Sequence, residues 1–176
     1  MDKKRIRENY ENVDYLDENG KVRTKVIYRG AYYAPADPAA IKPFRAVFAA
    51  AAFLLAVFYV VPLLFDSPSL RAVYFVLPYV GQVFPVFFLF LSAFGAAFRK
   101  PPYREETKRG ITDTPRKWCF AGNVLSLVSM GGYVAAQIIN GFDYASLLSF
   151  VCAAACFSLY IIIRKTAGSL KLVKTE

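Results

Sequence analysis

The stretch Ala72–Phe98, AVYFVLPYVGQVFPVFFLFLSAFGAAF, runs for 27 residues without an Asp, Glu, Lys or Arg. An α-helix rises about 1.5 Å per residue, so roughly 20 apolar residues reach across the ~30 Å hydrocarbon core of a bilayer. This stretch is long enough to cross with residues to spare. Three more blocks share its character: Ala46–Phe65, Trp118–Ile139 and Ala145–Ile163, all free of charge. Core helices of soluble proteins are shorter and usually carry a polar face. The expected fold is therefore an all-α polytopic membrane protein, with four transmembrane helices at 44–65, 72–98, 118–139 and 145–163 arranged as two hairpins. Hydrophobic residues make up 56% of the 176-residue chain, and the mean hydropathy is +0.34. Soluble domains average about 45–50% apolar. The first block follows some 45 hydrophilic residues, too far along for a cleaved secretory leader, so the N-terminus is expected to be retained.

Charge then sets the expected orientation. Ten Lys and Arg precede the first block, seven lie in the 99–117 connection and four in the 164–176 tail. The other two connections, 66–71 and 140–144, hold only Arg71. The positive-inside rule places 21 of the 22 cations, both termini and the middle connection in the cytoplasm. The expected location is the cell (cytoplasmic) membrane, multi-pass. The net charge of +9 is then explained by topology and attraction to anionic headgroups. No basic block interleaves with aromatics as a nucleic-acid module would require. The expected partners are the lipid bilayer and a protein partner or a second copy of the chain, and no nucleic acid.

Ahead of the helices, VDYLDENGKVRTKVIYR (13–29) reads as a β-hairpin within the cytoplasmic region 1–43. Asn19-Gly20 suits a two-residue type I′ turn, since both positions tolerate positive φ. Turning there sets Val13 opposite Val26, Tyr15 opposite Thr24 and Asp14 opposite Lys25. One face then carries Val13, Tyr15, Val22, Val26 and Tyr28, the candidate partner-docking residues, and the other carries the charges. A lone two-stranded hairpin is marginal in water, so docking is expected, on the protein's own inner surface, on a partner by strand addition, or on lipid. The following YYAPADPAAIKPF, with three prolines, reads as an extended connector.

Within the apolar blocks, Pro78, Gly81, Gln82 and Pro85 form the candidate kink and solute path of the second helix, because each proline removes a backbone donor. Ser67-Pro68 offers an alternative helix start at Pro68. Gly122, Ser126, Ser129, Gly132 and Ala136 form a small-residue stripe on the third helix, and Ala145, Ser149, Cys152 and Cys156 one on the fourth. Such stripes let helices approach closely in lipid, with Asn123 and Gln137 placed to hydrogen-bond across the seam. The 99–117 connection, with Glu105, Glu106 and Asp113 among its cations, reads as a solvated, self-paired loop.

Chemistry is sparse. The chain has no histidine and three cysteines, so neither a metal site nor a base-activated nucleophile is expected, and no cofactor. The expectation is a non-enzymatic accessory or scaffold subunit acting through its cytoplasmic face. The rival is a small oligomeric transporter or channel that uses the kinked second helix.

Overall fold

The computed structural model describes residues 9–16, 21–65 and 71–175. It is mostly helical with two small antiparallel sheets. Helix α1 is Ile41–Val60, entered through a 3-10 turn at Pro38–Ala40 whose first N–H groups are capped by the Asp37 carboxylate (Ala39 N to Oδ1, 2.9 Å). Pro62 supplies no backbone donor, and α1 tightens into a 3-10 turn at Val61–Leu64. The second apolar block forms α2 (Val73–Gly81) and α3 (Val83–Phe98). The last two helices are α4 (Glu105–Asn140) and α5 (Tyr144–Ser169). Four segments, Pro38–Leu64, Val73–Phe98, Glu105–Ile139 and Tyr144–Ser169, are long and apolar enough to cross a membrane.

The helices close into a ring. Helix α1 packs on α3 and α5, and α4 packs on α2, α3 and α5. Phe48, Leu55, Phe75, Leu89, Tyr160 and Ile163 are fully buried between them. Tyr59 of α1 stacks on Tyr79 of α2 with ring centroids 5.0 Å apart, and the Tyr79 hydroxyl donates to the Tyr59 carbonyl. Most of the phenylalanines of α3 point outward: Phe84, Phe87, Phe90, Phe94 and Phe98 are all exposed.

Strands β1 (Tyr10–Leu16) and β2 (Val22–Tyr28) pair as a two-stranded sheet. Strand β3 (Tyr32–Pro35) is the centre of a second sheet, flanked by β4 (Tyr103–Arg104) and β5 (Leu172–Thr175). Tyr33 pairs with Tyr103 on one side and with Lys174 on the other. The chain before α1, the connection between α3 and α4, and the chain after α5 thus meet at one end of the bundle.

Several expectations change. The 99–117 connection is not a loop: α4 begins at Glu105 and continues through Pro115 into the apolar block. Glu105 and Glu106 lie in its first turn, where carboxylates complement the helix dipole, and Glu105 pairs with Arg109 one turn on. Burial of Ile111, Thr112 and Pro115 anchors the added turns. The 164–176 tail is helical to Ser169 and then forms β5, while the connector after Tyr32 forms β3 before its 3-10 turn. The short backbone runs pair because each supplies the hydrogen bonds the others lack. Ala72 is extended (φ −85°, ψ 119°), and the described helix of the second span starts at Val73; Ser67 and Pro68 lie outside the described residues. The Asn19-Gly20 turn lies outside the described residues.

The hairpin register also differs, by one residue. Leu16 pairs with Val22, Asp14 with Thr24 and Tyr10 with Tyr28. Since side chains alternate, a one-residue slip exchanges faces: Val13 and Tyr15 now share a face with Arg23 and Lys25, away from Val22, Val26 and Tyr28. The observed register gains a hydrogen bond from Thr24 Oγ1 to Asp14 (2.7 Å), an Arg29–Glu11 ion pair and an edge-on Tyr10–Tyr28 contact with centroids 5.2 Å apart.

The small-residue stripe of α4 is buried, but it does not face a single partner. Gly122 lies under the Tyr160 ring of α5, where a Cβ would come within 2.4 Å of the ring. Ser126, Ser129 and Gly132 face the second span instead. Pro78 has no N–H for the Tyr74 carbonyl, and that carbonyl comes so near Gly132 that a Cβ there would sit 2.7 Å from it. Gln137 does not bridge helices: its Oε1 accepts from Asp143 N (3.1 Å), closing the turn at Gly141, whose φ of 83° favours glycine.

Gly132→Ala should therefore destabilise the bundle by about 1–3 kcal/mol, as overpacking against backbone does. Gly95→Ala, with open space at its Cβ, should be neutral or slightly stabilising. Thermal unfolding of both variants in the same detergent checks this.

Candidate functional site

Tyr28 is where the hairpin meets the bundle. Its ring packs edge-on against Tyr10 and Tyr32, with centroids 5.2 Å away in each case, and the Arg104 guanidinium lies 5.2 Å from its centroid. The hydroxyl donates to the Ala31 carbonyl (3.2 Å) and accepts from the Glu105 backbone N–H (3.2 Å). The first residue of α4 has no intrahelical partner for that N–H, so the tyrosine caps the helix. Beside it, the Tyr10 hydroxyl donates to Glu106 Oε2 (3.3 Å). Gly30 makes room: a Cβ there would stand 2.3 Å from the Tyr28 oxygen. The Lys108 ammonium lies 3.9 Å from the Tyr33 ring centre, a second cation–π contact tying α4 to the sheet.

Burial raises the Tyr28 phenol above its ordinary value, and the charges of Glu105, Tyr10 and Glu106 push the same way, against the lowering effect of the Glu105 N–H. The docked phenol is thus neutral, and its contribution is lost as pH climbs past roughly 10, where the undocked tyrosine releases its proton first.

Of the five docking candidates, the structure buries only Tyr28. Val13 is half-buried, and Tyr15, Val22 and Val26 are exposed. Leu16, which the face assignment by turn geometry leaves out, is 71% exposed and continues the Val22 and Val26 face. The hairpin is therefore docked at its base while its distal half presents apolar side chains to the surroundings.

The kink candidates lie together at the α2–α3 break. Pro78, Gln82 and Pro85 are buried, and Gly81 is half-buried beside Leu125. Gln82 Nε2 donates to Ser129 Oγ (3.2 Å), and Ser126 Oγ donates to Gln82 Oε1 (3.0 Å). The Ser129 hydroxyl in turn donates to the Leu125 carbonyl (2.9 Å). This amide is 1% exposed and joins the second span to α4. On the fourth helix Ser149, Cys152 and Cys156 are buried, and Cys119 of α4 is buried as well; all three thiols are free. Among the described residues no group of three or more acidic or thiol side chains is arranged to hold a metal.

Sequence reasoning missed Tyr10, the Glu105 N–H and the β3–β4–β5 sheet. The alternation of Leu170, Lys171 and Leu172 was a strand signal of a kind, but too short to stand alone. The Arg45 guanidinium, also missed, donates to the Arg99 carbonyl and to the Tyr103 hydroxyl (3.0 Å), fastening α1 to the α3–α4 connection. Comparison of the chain with protein-family models, curated proteins and solved structures finds no match.

Tyr28→Phe keeps the rings but removes both hydroxyl bonds, and should weaken docking by about 0.5–1.5 kcal/mol per bond. Hydrogen exchange of the strand amides 10–16 and 22–28 should quicken several-fold in Tyr28→Phe and approach the unprotected rate in Tyr28→Ala; unchanged exchange in both would contradict the docking role.

Proposed function

We propose that the chain is a four-span integral membrane protein, with its termini and middle connection in the cytoplasm. There it serves as a non-catalytic accessory or scaffold subunit that engages a protein partner through the hairpin. The outward faces of the helices support insertion. Large apolar side chains such as Phe53, Leu77, Phe84, Phe94, Leu127 and Ile138 are exposed on them, while the polar Gln82 is spent inside. Soluble monomers rarely expose such continuous apolar surface. Orientation rests on the cation count: the segments that meet at the sheet carry 21 of the 22 Lys and Arg, and cytoplasmic retention of cations is the usual rule.

The carrying observation for a scaffold role is the half-docked hairpin. Tyr10 and Tyr28 anchor it, whereas Leu16, Val22 and Val26, at 71%, 70% and 61% exposure, extend the same face away from the anchor. A strand pair held rigidly at one end offers an apolar strip and open strand edges, the requirements for strand addition. The break at Gln82 gives weaker support to a solute path, since both ends of its amide are already bonded to α4.

The test is affinity isolation from native membranes of the intact chain and of Val22→Lys/Val26→Lys. The variant alters only exposed positions, so its Tm should match the parent while companion proteins fall at least about tenfold, the loss expected when apolar interface anchors are removed. Companions retained at parental levels would overturn the hairpin as the docking element.

A further inference from the structure

The α4–α5 groove toward the sheet-bearing end is lined by three cations, Arg116, Arg164 and Lys165. Arg116 and Asn123 stand seven residues apart on one face of α4, and Ile161, Arg164, Lys165 and Gly168 fall at three- and four-residue spacings on α5. Together they line a cleft of about 480 Å³. Arg116 reaches across to α5, where its Nη2 lies 3.3 Å from the place a Cβ of Gly168 would occupy. A side chain at Gly168 would press on the guanidinium and shift it by a few tenths of an ångström. None of the three cations forms an ion pair or hydrogen bond with another described residue. Deeper along the groove, by about 10 Å at 1.5 Å per residue, the Asn123 Oδ1 is buried with no hydrogen-bond partner.

Three cations lining one cleft suit a multiply coordinated anion, and the unpartnered Asn123 oxygen leaves that amide unsatisfied within the protein and free to turn toward a bound group. We propose that the cleft binds the phosphate of an anionic glycerophospholipid. Arg116, Arg164 and Lys165 hold the phosphate. Asn123 turns its amide to donate Nδ2 to an ester carbonyl of the glycerol backbone, and the first methylenes run along Ile161. Basic pockets between helices at the cytoplasmic boundary are a recurrent form of headgroup recognition. This rests on the membrane reading above, since only insertion brings a headgroup to the height of Arg116 and its ester region to that of Asn123.

The experiment compares the intact protein, Arg116→Gln/Arg164→Gln/Lys165→Gln, Asn123→Ala, and a control that loses equal charge from the same end, Lys42→Gln/Lys117→Gln/Lys171→Gln. Native mass spectra are recorded from mixed micelles of phosphatidylglycerol and phosphatidylcholine, with Tm measured alongside. The parent and the control should retain phosphatidylglycerol, while the triple cleft variant should lose at least about tenfold and Asn123→Ala a smaller factor. Equal loss in the control would reduce the effect to diffuse attraction and overturn the proposal. A Tm rise in millimolar inorganic phosphate without lipid, equal to that with phosphatidylglycerol, would assign the site to a free anion and overturn the lipid. If the triple variant is unfolded, Asn123→Ala decides: unchanged lipid retention there overturns the proposal. Release of the parent chain from membranes by alkaline carbonate would overturn the membrane reading and this inference together. Retention in the membrane without lipid preference would overturn this inference alone.

Discussion

The backbone hydrogen bonds of Tyr32–Pro35, accepted and donated on both edges, hold three distant parts of the chain at one end of the bundle. An even number of long apolar segments returns the chain to the end of the bundle from which it started. The sheet goes further, because it places residues 32–36, 103–104 and 171–175 in direct contact. Everything at that end hangs from it: Arg45 clamps the α3–α4 connection beside β4, Tyr28 caps α4 beside β3, and the cations of α4 and α5 are brought to adjacent heights. Four helices alone would fix none of these contacts.

Away from the sheet, the bundle manages its few polar groups by spending them between helices. Two prolines open the second span and orphan backbone carbonyls, a costly state where water is excluded. The Tyr74 carbonyl meets the bare backbone of Gly132, and the break itself is stitched to α4 by Gln82, Ser126 and Ser129. The same helix therefore uses glycine where it must approach a carbonyl and serine where it must bond an amide. Its stripe of small residues records the demands of two neighbours, which is why its spacing alone suggested a single seam.

The apolar blocks were legible because hydrocarbon constrains composition over 20 or more consecutive residues, and each of the four appears as a helical segment at nearly its expected place, the second broken into α2 and α3. Their ends were less legible. Charge marks where an apolar block stops, but α4 continues as a helix to Glu105 because dipole, ion pair and buried Ile111 all favour it, and none of these is apolar periodicity. The sheet was not legible: Tyr32–Pro35 contains a proline and only four residues, and its partners lie about 70 and 140 positions away by strand pairing, beyond any local signal. The hairpin was readable as a hairpin, whereas its observed register sets Tyr10 opposite Tyr28 and brings them to Glu106 and Glu105, contacts that no local signal contains. Local turn chemistry proposes a register; a distant anchor selects among neighbouring ones.

The most direct test of this one-ended arrangement is a cross-link. Cα atoms of paired antiparallel residues lie about 4.5–5.5 Å apart, within the range a disulfide spans. Tyr33 and Lys174 are such a pair, and the three native thiols are buried. In intact membranes, mild oxidation of Tyr33→Cys/Lys174→Cys should give a reducible, intramolecular mobility shift in most of the protein, whereas Tyr33→Cys/Arg71→Cys should give none. Failure of the first pair to link, or equal linking of the second, would contradict the account.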